Sequence, residues 1–132
     1  MKKMTILNVI VLLSFSLLNA TIIHIPADFS TIQGGIDASV DGDTVLIAQG
    51  IYYENLILEK EIVLASHAIY DDLDSDWLNN ENITGTIISG AQEPSDPKMG
   101  SCLVIRGGGY GYSGNPEPEI IGLTFQDGDG TS

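Results

Sequence analysis

Apolar residues in this chain come in short, β-branched runs separated by polar turns. Val45-Leu46-Ile47, Leu56-Ile57-Leu58, Ile62-Val63-Leu64, Ile87-Ile88, Leu103-Val104-Ile105 and Ile120 through Phe125 are bounded by Gly, Asn, Asp or Pro. That is how strands closed by turns appear in a sequence. The runs beginning at Val45, Ile62, Ile87, Leu103 and Ile120 start 17, 25, 16 and 17 residues apart. The spacing is too long for tight hairpins and too short for strand–helix–strand crossovers. It predicts a solenoid in which coils of roughly 20 residues each lay a strand on the coil below. The runs also lack clean alternation, as parallel strands buried deeply do. A small antiparallel sandwich is the alternative, but it wants Asn-Gly or Asp-Gly closing two-residue hairpins. Asp41-Gly42 follows a helical pattern and Asp127-Gly128 sits at the chain end, so neither joins two strands.

One helix is predicted. Ser30-Thr31-Ile32-Gln33 fits a capping box, with the hydroxyl accepting from the Gln33 amide while the Gln33 side chain reaches back. Ile32, Ile36 and Val40 follow at four-residue spacing as one apolar stripe, and Gly42 supplies the stop. Gly34 and Gly35 weaken the helix, so packing must hold it in place. No second helix shows a pattern.

The first apolar run is of another kind. Met1-Lys2-Lys3, an apolar stretch from Ile6 to Leu18 and a terminal Asn19-Ala20 read as a secretory signal peptide over residues 1–20. A membrane anchor is the competing reading, but the stretch falls short of the roughly 20 residues a span needs. The domain that follows is residues 21–132, and the expected location is secreted, at the cell surface or in the periplasm. Charge sharpens that picture. The 132 residues hold 5 Lys and Arg against 18 Asp and Glu, a formal charge of −13, and loss of the leader with Lys2 and Lys3 makes it −15. Such a surface argues against nucleic acid, which needs a basic face to displace phosphate counterions, and against anionic membranes. At 43% hydrophobic the chain is too apolar for a disordered tail. Its one cysteine, Cys102, forms no internal disulfide, and beside Leu103-Val104-Ile105 it reads as a buried thiol.

Several segments in order resemble a known family. Ile25-Pro26-Ala27-Asp28-Phe29-Ser30-Thr31-Ile32-Gln33, Ile36-Asp37-Ala38, Gly42-Asp43-Thr44-Val45-Leu46-Ile47-Ala48-Gln49-Gly50 and Tyr52-Tyr53-Glu54-Asn55 resemble the opening of pectin-lyase-like proteins, pectinesterases among them. Glu61 to Ala65, Gly85 to Gly90 and Ile120 to Gly128 look like later rungs. The resemblance implies an all-β fold, a right-handed parallel β-helix (solenoid) whose short helix covers its first coil. Its open end would be covered by downstream coils of a longer chain or by self-association. For function it implies a secreted or cell-surface module, non-catalytic in this stretch, that meets extracellular polysaccharide, surface glycan or a partner. The alternative is the N-terminal portion of a pectinesterase- or polysaccharide-lyase-like enzyme whose catalytic residues lie downstream; no catalytic motif of that family falls on a residue of this chain. A charge of −15 repels polyanionic substrates such as pectin, which favours the module.

Candidate chemistry is sparse. Asp71, Asp72, Asp74 and Asp76 lie within six residues, followed by Asn79, Asn80 and Glu81. Hard oxygen ligands at alternate positions suit calcium, although Trp77 and Ile83 stand where an EF-hand needs Gly and Glu. The plainer reading is a solvated acidic loop. Asp127 and Asp129 form a second, smaller group that reads equally well as turn formers. Arg106, beside Gly107-Gly108-Gly109 and near Tyr110 and Tyr112, could bind a sugar or carboxylate or simply lie on the surface. Trp77 either stacks on a sugar ring or anchors its own loop. His24 and His67 have no partner at metal-ligand spacing and read as strand-end residues. Asn82-Ile83-Thr84 is a formal glycosylation sequon.

Overall fold

A computed structural model describes residues 19–90, 100–107 and 115–130. The signal peptide expected over residues 1–20 lies almost wholly outside the described residues, as do Tyr110 and Tyr112. Strand β1 (Ile22–Ile25) leads into helix α1 (Ile32–Ala38), then β2 (Thr44–Ile47), β3 (Gly50–Tyr53), β4 (Leu56–Leu58) and β5 (Val63–Ser66). A 3-10 turn (His67–Tyr70), α2 (Leu73–Asp76), a second 3-10 turn (Trp77–Asn79) and α3 (Glu81–Thr84) follow. The chain then forms β6 (Thr86–Ser89), β7 (Leu103–Ile105), β8 (Glu119–Ile121) and β9 (Thr124–Gln126).

The strands lie in three sheets, ordered β1-β2-β5-β8, β3-β6-β9 and β4-β7, and all their pairings are parallel. One isolated antiparallel bridge joins Gly100 to Gly130. The expected all-β, right-handed parallel β-helix is therefore corrected. The described residues form a mixed fold of short helices and three small separate sheets, and no closed solenoid is seen among them. The error has a physical source. Even spacing between apolar runs implies uniform coils only where no helix intervenes, and helices occupy two of the longer intervals. One is the β1-α1-β2 unit, built around the one helix that the sequence predicts. The other is the interval between β5 and β6, where short capped turns without apolar periodicity replace the expected loop.

The core explains why these runs are strands. Ile23, Val45, Leu64 and Ile120 share one register row across the four-stranded sheet, and Ile25, Ile47 and Ser66 share another. Together with Ile32, Ile36, Leu56, Leu58, Ile62 and Ile88, the aliphatic members on β1, β2 and β5 form one cluster that water scarcely reaches, with the partly buried Ile120 packed against it. Burying each such side chain contributes about 1.5–3 kcal/mol. Leu46 and Ala65 on the opposite face are buried too, so β2 and β5 read as continuous apolar runs.

Local details depart from the expected pattern at three places. Thr31, not Ser30, caps α1, its side chain accepting from the Gly34 amide. The helix ends at Ala38 with Ser39 as its C-cap, so Gly42 (φ 91°) turns the chain further on and Val40 is 62% exposed. The Ile120–Phe125 run is split because Gly122 takes φ 65°, and a Cβ there would lie 2.6 Å from the Ala68 Cβ and 2.8 Å from the Ser66 hydroxyl. Only glycine fits that turn.

Candidate functional site

A cleft of about 370 Å³ opens between α1 and the β4-β7 sheet. Helix α1 contributes Gln33, Ile36 and Asp37, strand β4 and the residues after it give Ile57, Glu59 and Lys60, and Arg106 follows β7. The walls are fixed by a set of side-chain-to-backbone bonds. The Glu54 carboxylate accepts from the amides of Ile32 (2.9 Å) and Gln33 (3.0 Å), holding the start of α1. The Gln33 side-chain amide bonds both backbone groups of Ile57: its Nε2 donates to the Ile57 carbonyl (3.1 Å), and its Oε1 accepts from the Ile57 amide (2.8 Å). It thereby satisfies the edge of β4 that faces away from β7, where an extended strand would otherwise leave polar groups unpaired. At the far end of α1 the Lys60 ammonium donates to the carbonyls of Ile36, Asp37 and Ser39 at 2.6–2.8 Å. A cation there neutralises the negative end of the helix.

Lys60 is thus spent on the scaffold. Arg106, about half exposed, reaches within 3.8 Å of Glu59 across the mouth of the cleft. Ile57 gives partly exposed apolar surface beside these charges, while Ile36 is almost wholly buried. A cleft of this volume falls within the roughly 300–1,000 Å³ of small-molecule sites. Chemically it offers guanidinium donors, the carboxylate acceptors of Asp37 and Glu59, and an aliphatic patch.

A second cavity, about 420 Å³, is lined by Asp41, Glu61, Glu117 and Glu119 with Ile62 and Val63. Asp41 already accepts from the Glu61 amide at 3.0 Å. Nearby, Asp43 is buried, and its carboxyl is held below the usual carboxylate range. The amides of Val40 and Thr21 donate to it at 2.9 and 2.8 Å, with a smaller contribution from Lys60 and against the opposing cost of burial.

The four aspartates expected to invite calcium do not converge. Asp71 accepts from the side-chain amides of Asn82 (2.8 Å) and Asn80 (2.9 Å), which hold its carboxyl below its ordinary value. Asp72 caps α2 by accepting from the Asp74 amide, and Asp76 accepts from the Asn79 side chain. Among the described residues, no group of three or more His, Cys, Asp or Glu side chains is placed to hold a metal ion. Asp127 sits at φ 56° and accepts from the Ser89 hydroxyl, and the Asp129 amide closes onto Gly100. Cys102 is buried, its thiol donating to the Gln126 carbonyl, in keeping with a structural role.

No family model, curated protein or solved structure matches this chain.

The cleft joins a residue singled out in the sequence, Arg106, to Gln33, Asp37, Glu59 and Lys60, which were not singled out as site residues. Its signal in the sequence is charge scarcity. Beyond residue 20 the only basic residues are Lys60, Lys98 and Arg106, and two of the three meet at this one cleft. Tyr70 and Trp77, by contrast, stay well clear of burial. Among the described residues no helix is long and apolar enough to cross a membrane.

Proposed function

We propose that this chain is a non-catalytic module, secreted or held at the cell surface, that binds a neutral glycan in the cleft between α1 and β4. The observation that carries the reading is the lining itself: Arg106 and Glu59 stand 3.8 Å apart beside the partly exposed, aliphatic Ile57. A sugar ring presents vicinal hydroxyls, each both donor and acceptor, around a weakly apolar C–H face. Alternating guanidinium and carboxylate groups over aliphatic side chains match both. The net charge of −13 on the chain disfavours polyanionic glycans, because their approach is repelled before any contact forms. Export follows from the leader-like residues 1–20.

Calorimetric titration of neutral and uronic-acid oligosaccharides tests the reading. Binding of a neutral oligosaccharide is expected, weakened about tenfold or more by Arg106→Ala and by Glu59→Gln, in the range of one lost charge-assisted hydrogen bond. Binding that is unaffected by both substitutions, or absent for every oligosaccharide, overturns it.

A further inference from the structure

The segment between β5 and β6, residues 67–84, is closely braced, yet Ala68 is its only fully buried residue. Three of its four turns have a side-chain cap: Ser66 accepts from the Ala68 amide, Asp72 from the Asp74 amide, and Asn80 from the amides of Asn82 and Ile83. Asp71 ties the first turn to α3 through Asn80 and Asn82. Yet α2, the second 3-10 turn and α3 contain no buried residue. On this scaffold Tyr70 is 66% exposed, Trp77 57% and Leu78 66%. The Asp71–Asn80 bond of 2.9 Å holds the chain beside Tyr70 close to the chain just after Leu78. Large apolar side chains displayed on a braced surface mark an interaction site.

We infer that residues 67–84 form a docking surface for a cationic polypeptide segment, with Trp77 and Tyr70 as its anchors. Charge selects the occupant. The segment contains Asp71, Asp72, Asp74, Asp76 and Glu81 and neither Lys nor Arg. A Lys- or Arg-rich partner gains cation–π contact with the exposed rings and attraction from the surrounding carboxylates. Trp and Tyr are also the residue types that dominate interface energetics. This surface shares no residue with the glycan cleft and goes beyond the function proposed for it.

Trp77 is the only tryptophan in the chain, so its emission reports the surface directly. The probe is a peptide of alternating Arg and Leu titrated into the full chain at low salt, with an Arg→Gln version as control. A saturable change in Trp77 emission is expected with the Arg peptide alone, reversed by raising salt. Peptide anisotropy is expected to show at least tenfold weaker binding to Trp77→Ala and to the Asp74→Asn/Asp76→Asn double variant. Because these positions are exposed, unchanged melting curves verify that the variants fold. Arg106→Ala is expected to leave peptide binding intact, which separates this surface from the cleft. No emission change up to millimolar peptide, equal binding by Trp77→Ala, or an emission change caused by neutral oligosaccharide instead of peptide overturns the inference.

Discussion

Asp43 keeps its charge in a buried position because two backbone amides point at its carboxylate. Thr21 donates to one oxygen at 2.8 Å and Val40 to the other at 2.9 Å, so the side chain stitches the chain ahead of β1 to the turn ahead of β2. With its pKa lowered in the folded protein, the sign of its contribution is fixed. It is fully present above the unfolded value, near 3.9, and is lost as pH falls through the lower folded value. Asp43→Asn places an amide group against one of those donors. The variant is expected to lose roughly 1–2 kcal/mol at pH 7 and to show a shallower fall in melting temperature between pH 4 and pH 2 than the parent. Thermal melts across that range check it; identical acid limbs would show that Asp43 plays no part. Nothing in a one-residue reading of Asp41-Gly42-Asp43 distinguishes this carboxylate from an ordinary turn former, since both of its donors come from outside the tripeptide.

At the level of elements, α1 shows what a sequence reveals and what it hides. Ile32 and Ile36 are legible as an inward stripe because four-residue spacing puts them on one face, and both are buried. Val40 continues the spacing but lies past the helix end, so periodicity alone misplaces it. Strands β2, β4 and β7 are legible as unbroken aliphatic runs, whereas β3 escapes because Gly50-Ile51-Tyr52-Tyr53 has no such run and exposes Ile51 and Tyr53. The turns of residues 67–84 escape because four-residue helices held by caps carry no period. The cleft was legible only through Arg106, because its other polar side chains are assembled by contacts more than 20 residues apart. A seven-residue helix containing two glycines does not stand alone, so α1 depends on Glu54, Gln33 and Lys60. Lys60→Met removes three charged bonds to carbonyls that water can partly reclaim. It is expected to cost roughly 1.5–3 kcal/mol and to weaken glycan binding through a displaced α1. Chemical denaturation checks the first, with an unchanged midpoint counting against the helix clamp.

Across the whole molecule, the three sheets share one asymmetry. In the largest, β2 and β5 are paired on both sides while β1 and β8 each pair on one side among the described residues; in the second, β6 lies between β3 and β9. Their inward residues Val45, Ile47, Leu64 and Ile88 are fully buried, while Ile105 on β7 and Phe125 on β9 are 48% and 39% exposed. Opening β7, β8 or β9 breaks one ladder and exposes no fully buried side chain, whereas opening β2, β5 or β6 breaks two ladders and unpacks the core. Local opening free energies therefore rise toward the paired interior. Native-state hydrogen exchange is expected to show the amides of β2, β5 and β6 exchanging only by global unfolding. Those of β7, β8 and β9 are expected to exchange at least tenfold faster, with the turns of residues 67–84 faster again. Uniform protection across all nine strands would mean that the three sheets open as a single cooperative unit. The gradient matters for function as well as for folding. The walls of the cleft come from α1 and β4, and α1 rests against β1 and β2, so the cleft proposed to bind glycan is supported by the best-protected sheet. Residues 67–84 can yield to a partner without loosening that cleft.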